Sequence, residues 1–414
     1  MTAPATAFVA HDAPIMDAQF LPGGDQILTG AMDGEMKLWR FTEPDLLGAK
    51  PPICTQTFDH YNRNYRGVRI TADARLAIIH GANWTQIWSL RLGGWFSDLT
   101  DQDEEFMALA KNERLMVTEA NWVHGGLRVW DLRHGRPLGV LQTLQEKSNP
   151  LYHPAMEDMT EDEIDAATPI AGITHVNLID DRLLAVSTEN HKTMLFDLDR
   201  LVLERQIPYS IALIHDDGRT AFSSGSSSSR TAFDLFDDST TKIAMEEAAD
   251  IYGRGKIACL GDGHVVTTSV TTIRVWRPGD WTCCLTIPEA HAVPSSENAT
   301  YASISQLLVL PDGKHVATAT PCAQPKVWNA DTGSEVAMAS SADTEGTQGT
   351  DRLRLHPLGL IGEVSNIVHL WDSGSGEIIW ASPASHRLLD VATDGRIACA
   401  GGNRLVIVAP GTPD

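Results

Sequence analysis

A histidine, a threonine and an aspartate near the start of the chain are residue types that support nucleophilic catalysis. His11, Thr29 and Asp33 supply a base, a hydroxyl and a carboxylate, the three components of a catalytic triad. Residue types alone do not define a reaction, because the nucleophile, its base and an oxyanion site must meet in space. The competing interpretation is a structural hydrogen-bond network, and the elements that carry these residues decide between the two.

The residue types that can bind metals or cofactors are present, but they are not spaced as such sites require. The 15 histidines include no HExxH pair, and the 6 cysteines follow no CxxC spacing. The glycines at 261, 263, 401 and 402 lie inside predicted hairpins, whereas a phosphate loop joins a strand to a helix. The sequence therefore predicts no metal, no cofactor and no catalytic residue.

The stretch from His11 to Trp39 is a unit whose pattern recurs along the chain. Ile15 to Phe20 alternates apolar and polar residues, Pro22-Gly23-Gly24 predicts a tight turn, and two further strands follow, the second ending at Trp39. Three short strands cannot bury their apolar faces alone, whereas stacked copies can. Repetition of this kind is typical of propeller blades.

Marking one aromatic or aliphatic anchor on each third strand predicts nine units. The anchors are Trp39, Trp88, Trp130, Phe196, Phe233, Trp276, Trp328, Trp371 and Ile407. The fourth, fifth and ninth units lack tryptophan, so eight blades is the alternative count.

The first unit resembles the WD-repeat family, in which a histidine precedes the first strand, serine or threonine lies on the second, aspartate lies in the next turn, and tryptophan lies on the third. His11, Thr29, Asp33 and Trp39 occupy these four places. The resemblance implies an all-β propeller of four-stranded antiparallel blades. It also implies that these residues form a structural tetrad, and that the protein is a binding platform.

The last unit contains only three predicted strands, and a strand at the start of the chain can supply the fourth. Ala5 to Ala10 precedes the first unit and has no other strand to pair with. We predict that it completes the last blade and closes a single propeller domain over residues 1–414, because closure removes an open sheet edge.

One long interval interrupts the repeat between the third and fourth units. Leu144 to Pro169 contains the acidic residues Glu157, Asp158, Glu161, Asp162, Glu163 and Asp165. We expect this insertion to project from the propeller and to be dispensable for folding, because it interrupts the period without adding a blade.

Composition and charge exclude several classes of partner. The chain has 54 acidic and 32 basic residues, a net charge of -22, which opposes binding to nucleic acid and to anionic membranes. The same charge serves solubility and is compatible with a basic protein partner. The absence of a signal-like start and of a disulfide framework predicts a cytoplasmic location.

Aromatic residues in predicted loops of the second to fourth units are candidates for partner binding. Adjacent units place Asn83-Trp84 and Asn121-Trp122 in equivalent turns, and other rings lie in neighbouring links. The predicted partner-binding residues are Trp84, Trp122, Tyr61, Tyr65, Tyr152 and His153. Large amphipathic rings on a surface often dominate binding energy, although tryptophans are as often buried beneath a neighbouring blade.

Two functions from different classes fit these observations. The first is a non-enzymatic scaffold that binds a protein or peptide on the loop face of the propeller. The alternative is a hydrolase-like or lactonase-like propeller enzyme, or a small-molecule receptor, with its site at the mouth of the central channel. That site requires polar groups on the first strands, where the candidates are Asp17, Arg69, His175, Asn177, Arg352, Arg354 and Asp390.

Overall fold

The structure of the protein is a computed structural model in which all secondary structure of the described residues is β-strand. It describes residues 5–41, 52–59, 65–81, 84–97, 104–110, 113–120, 127–141, 173–179, 182–188, 192–215, 217–223, 229–237, 240–244, 256–269, 271–291, 303–321, 323–336, 352–364, 366–383 and 385–409. These residues contain nine four-stranded antiparallel sheets, the blades of a β-propeller. The predicted fold class and the count of nine blades are confirmed. The insertion predicted at 144–169 lies outside the described residues.

The chain divides into two compact units, of which the first comprises residues 1–60, 226–232 and 241–414. Blade 1 of this unit consists of β2 (Ile15–Phe20), β3 (Gln26–Ala31), β4 (Glu35–Arg40) and β5 (Ile53–Asp59). Blades 6 and 7 consist of β22 (Ile257–Cys259), β23 (Val265–Thr268), β24 (Ile273–Trp276), β25 (Cys283–Ile287), β26 (Gln306–Val309), β27 (His315–Thr320), β28 (Ala323–Asn329) and β29 (Glu335–Val336). Blades 8 and 9 consist of β30 (Arg354–His356), β31 (Gly359–Val364), β32 (Ile367–Trp371), β33 (Ile378–Ala381), β34 (Arg387–Val391), β35 (Ile397–Gly401), β36 (Arg404–Val408) and β1 (Ala5–Val9).

The second unit comprises residues 61–225 and 233–240. Blades 2 and 3 consist of β6 (Tyr65–Ile70), β7 (Leu76–Gly81), β8 (Thr85–Ser89), β9 (Gly94–Ser97), β10 (Glu104–Leu109), β11 (Leu115–Ala120), β12 (Leu127–Asp131) and β13 (Arg136–Val140). Blade 4 consists of β14 (Ile173–Leu178), β15 (Leu183–Thr188), β16 (Thr193–Asp197) and β17 (Val202–Ile207). The strands of blade 5 are β18 (Ile211–Ile214), β19 (Thr220–Ser223), β20 (Ser229–Asp234) and β21 (Thr240–Ala244), and they fall in both units.

Burial within a blade follows strand position. Second strands such as β3, β15 and β27 are buried along nearly their whole length, and they consist mainly of apolar and small or β-branched residues. Fourth strands such as β17 and β25 are more exposed, with two of six and three of five residues exposed respectively. The pairing of third and fourth strands shifts register just before the anchors Trp39, Trp130 and Trp276, and such bulges increase strand twist.

The N-terminal strand completes blade 9, as predicted. β1 pairs antiparallel with β36 over five residues, from Ala5 opposite Val408 to Val9 opposite Arg404. Phe8 then meets Trp39 of blade 1 edge to face, with ring centroids 4.9 Å apart. A shared core of blades 1 and 9 includes Ile27 and Leu405, so the two ends of the chain are fastened by both hydrogen bonds and apolar packing.

A buried arginine fixes the same junction at the turn after β34. Arg396 is 6% exposed, donates from Nε to Asp394 Oδ2 at 2.8 Å, and donates from Nη2 to the carbonyl of Gly24 in blade 1. Its guanidinium lies over the rings of Phe20 and Phe41 at 5.4 and 5.2 Å. Gly24 has φ of +72°, and a side chain there would collide with Arg396, so only glycine fits.

Within the described part of the chain, no helix has the length and apolar character needed to cross a membrane.

Candidate functional site

Each blade has two ends, which carry different connections. Because the strands are antiparallel, the turns that join first to second and third to fourth strands lie at one end, which we call the turn end. The turns that join second to third strands, and the links between blades, lie at the other, which we call the loop end. Trp84 lies in a loop-end turn, between β7 and β8.

Trp84 does not have the exposed position that an anchor for a partner requires. It is 6% exposed, and its carbonyl accepts a hydrogen bond from Gly81 N–H at 2.9 Å, which closes the turn. Of the two interpretations of this ring, burial is the one observed. Tyr65 begins β6, and only its backbone is described, while four other predicted binding residues lie outside the described residues: Trp122, Tyr61, Tyr152 and His153.

The tetrad of blade 1 is a buried hydrogen-bond relay centred on Thr29. Trp39 Nε1–H donates to Thr29 Oγ1 at 2.9 Å, and Thr29 Oγ1 lies 2.7 Å from His11 Nε2. His11 Nδ1 faces Glu35 Oε2 at 3.2 Å, and a carboxylate only accepts, so Nδ1 carries the proton and Nε2 accepts from the threonine hydroxyl. Burial lowers the pKa of His11 and keeps the ring neutral.

Burial identifies this relay as structural. Thr29 and His11 are 0% and 1% exposed, so a substrate cannot reach the hydroxyl or its base. Three of the four predicted members, His11, Thr29 and Trp39, meet as the resemblance implies. The geometry of a hydroxyl, an imidazole and a carboxylate is present without the access that catalysis requires.

Asp33, the fourth predicted member, is not part of the relay, so the prediction is wrong at this position. Its side chain is exposed, and its Oδ1 accepts a hydrogen bond from Glu35 N–H at 3.0 Å, which caps the turn. Glu35 takes its place beside His11 because it begins β4 and its longer side chain reaches back to the ring. Lys37 Nζ, 2.7 Å away, holds the same carboxylate.

We therefore expect Asp33→Ala to cost little stability and Glu35→Ala to cost more. The first change removes one solvent-exposed hydrogen bond, worth about 0.5 kcal/mol, whereas the second leaves a buried histidine N–H without its acceptor, a loss of about 1 kcal/mol or more. Urea unfolding of both variants measures the difference. A larger loss for Asp33→Ala would restore aspartate to the relay.

The pairing of threonine with tryptophan recurs in three other blades. The indole N–H groups of Trp130, Trp276 and Trp328 donate to Thr118, Thr267 and Thr318 at 2.8, 2.8 and 3.0 Å. In blade 7 the relay extends to His291, whose Nε2 lies 3.0 Å from Thr318 Oγ1.

His291 differs from His11 because, among the described residues, no carboxylate is bonded to it. Its Nδ1 is buried and has no hydrogen-bond partner among the described residues. Burial and the charge of Lys326 lower its pKa to about 4. A histidine that is neutral in the folded state gives up stability as pH falls, since the unfolded chain takes up a proton near pH 6.5 and the folded one does so only near pH 4.

This linkage predicts a pH-dependent loss of stability that depends on one residue. Between pH 7 and pH 5 the free energy of unfolding should fall by about 2 kcal/mol more in the wild type than in His291→Gln. Urea unfolding of both proteins at the two pH values checks this, and the other histidines cancel in the comparison. Equal losses in the two proteins would show that His291 is accessible to protons when folded.

Charged residues on the first strands converge where blades 8, 9 and 1 adjoin within the first unit. Arg354 Nη1 pairs with Asp390 Oδ1 at 3.0 Å, and Asp390 Oδ2 accepts the N–H of Phe20 at 2.8 Å. Arg387 donates to the carbonyl of Ile15 at 3.0 Å. These bonds tie blade 8 to blade 9, and blade 9 to blade 1.

Burial shifts the pKa values in this cluster. The pKa of Asp390 is raised, mainly because it is removed from water, and the negative charge of Asp17 adds to the effect. The pKa of Arg387 is lowered by burial and by the charge of Arg352. Arg352 also donates to the carbonyl of Leu388 at 2.9 Å. Perturbed groups of this kind mark functional sites in some proteins and structural networks in others.

The cluster contains four of the seven predicted channel residues. Asp17, Arg352, Arg354 and Asp390 are brought together, and Arg387 is a member that the sequence did not predict. The remaining candidates lie on first strands of the second unit: Arg69, His175 and Asn177. Across the residues that the structure describes, no three histidine, cysteine or carboxylate side chains are grouped so as to hold a metal ion.

Comparisons with known proteins find similarity in structure only. No protein-family model matches the sequence, and no curated protein matches it. Solved structures with a similar fold include Saccharomyces cerevisiae Sqt1, at 13% identity with a TM-score of 0.55 over 100% of both chains. The C-terminal WD40 domain of Sif2 is 13% identical, with a TM-score of 0.51 over 96% of this chain and 97% of that one. A computationally designed protein, Ika8, is 12% identical, with a TM-score of 0.54 over 98% and 99%. The chain is therefore similar in fold to a set of solved structures, one of which is a WD40 domain.

Proposed function

We propose that the protein is a non-enzymatic interaction scaffold of the WD-repeat type that binds a protein or peptide partner. The observation that carries the proposal is the use of the first-strand charges. Arg354, Asp390 and Arg387 bond across blade boundaries to each other or to backbone groups, so they serve to join blades. These bonds make the junctions between blades rigid, and a rigid scaffold positions the loops that bind a partner.

The propeller fold supports this proposal without identifying a partner. A WD40 domain is among the similar structures, but identity of 12–13% carries the fold alone. Within the proposal, the loop ends of blades 2 to 4 remain the candidate surface, and Trp122 is its principal aromatic residue, together with Tyr61, Tyr65, Tyr152 and His153. The cysteine pattern supports a cytoplasmic location as part of the same proposal.

A second candidate function has one specific observation in its favour. The pKa of Asp390 is raised by burial although Arg354 lies beside it, which resembles the tuning of a general acid and fits the enzyme or small-molecule receptor with a site at the channel mouth. Against it, both oxygens of Asp390 already accept hydrogen bonds from Arg354 and Phe20.

Partner retention and turnover distinguish the two functions. The tagged full chain is purified from its source cell as wild type, Trp122→Ala and Asp390→Asn, and each is also assayed against panels of ester and lactone substrates. The scaffold function predicts that a partner protein co-purifies in stoichiometric amount with the wild type and with Asp390→Asn. Less of this partner should be retained by Trp122→Ala. Turnover by the wild type that Asp390→Asn abolishes would contradict it.

A further inference from the structure

The N-terminal strand covers one sheet edge and creates another. β1 is the outermost strand of blade 9, in which the strand order is β1, β36, β35, β34. One side of β1 pairs with β36, whereas its other side has no neighbouring strand in this sheet. An open edge presents a row of backbone N–H and C=O groups, which is a template for pairing with a further strand. We call this open side of Ala5–Val9 the β1 edge.

The β1 edge lacks the bulge that other blades have at this place. The pairing of third and fourth strands shifts register in six blades, whose fourth strands are β5, β9, β13, β17, β25 and β33. A bulge interrupts the ladder and twists the edge strand, which hinders pairing with a further strand. β1 pairs with β36 over five consecutive residues without a shift, so its edge is a regular ladder.

The side chains of β1 also lack the charge that protects other edges. The strand reads Ala-Thr-Ala-Phe-Val, whereas β13 and β17 carry Arg136 and Glu204. Charged residues on an edge strand discourage association. Ala5, Ala7 and Val9 are exposed, and Val9 is 60% exposed. Pairing at this edge would therefore cover apolar surface without burying a charge.

The hydrogen bonds of β1 show which backbone groups face outward. The N–H of Ala10, just after the strand, donates to the carbonyl of Asn403 at 3.1 Å, so Ala10 faces the β36 side. Residues of an antiparallel pair alternate between bonding to the partner strand and facing away from it. Thr6 and Phe8 therefore bond to β36, and the other three residues of β1 direct their backbone groups outward. Within the described part of the chain, these outward groups have no hydrogen-bond partner.

We propose that the β1 edge pairs with the β1 edge of a second copy of the chain, antiparallel and with Ala7 opposite Ala7. In this register the three outward-facing residues of one strand meet those of the other, so about six backbone hydrogen bonds form. Val9 lies opposite Ala5, and Phe8 lies opposite Thr6, so each large side chain faces a small one. The strand is thus complementary to itself.

A second copy fits this edge better than a basic segment of another protein does. A basic segment gains from acidic side chains beside it, and β1 has none. Two copies with a net charge of -22 each repel one another, so contact through an uncharged strand suits them. The interface is small, and small interfaces associate weakly. We expect a dimer that forms at micromolar or higher concentration and that added salt strengthens, because salt screens the repulsion.

Sedimentation velocity of the full chain over a range of concentrations tests the pairing. The wild type should shift from monomer to dimer as its concentration rises, and the dissociation constant should fall as salt is added. Ala7→Lys places two like charges opposite each other at the centre of the interface, and it should raise the dissociation constant at least about ten-fold. Because this change makes each chain less negative, overall repulsion alone predicts the opposite shift.

A matched control makes the same change in charge on a bulged edge. Thr286 is an exposed residue of β25, the fourth strand of blade 6. Thr286→Lys should leave the dissociation constant within about two-fold of wild type. Melting temperatures establish that the variants fold, and Val9→Lys is the second edge variant in case Ala7→Lys does not.

Hydrogen–deuterium exchange locates the interface. Exchange over residues 5–9 should slow as the dimer forms, and exchange over β25 should not change. A wild type that stays monomeric at every concentration, equal weakening by Ala7→Lys and Thr286→Lys, or a dimer that leaves exchange over β1 unchanged would overturn the inference. Protection of β1 by a co-purifying protein instead of a second copy would overturn it too. The scaffold function concerns the loop ends of blades 2 to 4, so it stands or fails separately.

Discussion

Removal of residues 1–9 is expected to destabilise the protein by at least about 5 kcal/mol. The deletion leaves β36 as an open edge by removing five paired residues of the sheet, and it strips Phe8 from Trp39. Phe8 is partly buried, so its loss costs about 2 kcal/mol, less than that of a core phenylalanine, and each lost ladder hydrogen bond costs about 1 kcal/mol more. Thermal and urea unfolding of the truncated chain measure the loss.

Neighbouring residues of the same strand provide the control. Phe8 and Val9 point to opposite faces, and Val9 is 60% exposed. Phe8→Ala should lower the melting temperature clearly, and Val9→Ala should lower it little. A synthetic peptide of residues 1–10 should restore stability to the truncated chain. Truncation without any change in stability would show that β1 does not fasten blade 9.

Replacement of Thr29 by alanine is expected to cost about 3 kcal/mol, more than the loss of Glu35 or of any other single member of the relay's polar network. The hydroxyl serves the indole of Trp39 and the ring of His11, and both are buried without an alternative partner once it is gone. Each unsatisfied buried group costs about 1–3 kcal/mol. Urea unfolding at pH 7 gives the value.

Blade 6 offers a matched control for Thr29. Thr267 accepts from Trp276 in the same way, and among the described residues no histidine bonds to it. Thr267→Ala should therefore cost about half as much as Thr29→Ala. Equal losses would show that the histidine adds nothing to the relay, and the four-residue network would then be reduced to a threonine-tryptophan pair.

The repeat was predictable because each blade repeats the same pattern of burial. All nine predicted anchors, including the non-tryptophan anchors Phe196, Phe233 and Ile407, lie on third strands. The pairing of β1 with β36 was also predictable, because the last unit has only three strands and the first strand of the chain has no other sheet edge to pair with. The repeat period and the pairing of open sheet edges are therefore sufficient to predict the fold.

The identity of the carboxylate beside His11 was not predictable from spacing. Asp33 occupies the position that the WD-repeat resemblance assigns, yet Glu35 reaches the ring because it lies on the strand and has one more methylene. One feature of the sequence does bear on the choice of carboxylate, namely a basic residue two positions before the tryptophan. In blade 3 this residue is Arg128, whose guanidinium lies 5.6 Å from the ring centre of Trp130. Lys37 holds this position in blade 1 and draws Glu35 towards the relay.

The contact between the first turns of blades 2 and 3 was missed because it joins two turns from different blades. Ala72 and Glu113 are 41 residues apart, and the hydrogen bond between them is a tertiary contact that no local pattern encodes. The detectable signal was an absence: neither turn has glycine where most other blades do. Trp84 illustrates the converse limit, because a loop position in sequence does not establish that a large ring is exposed.

Hydrogen–deuterium exchange of the full chain, alone and with the protein that co-purifies with it, tests the scaffold function most directly. Binding should slow exchange at the loop ends of blades 2 to 4, which are the proposed partner surface, and should leave the first strand at 387–391 unchanged. Protection confined to the first strands of blades 8, 9 and 1, produced by a small molecule that the protein turns over, would contradict the scaffold function.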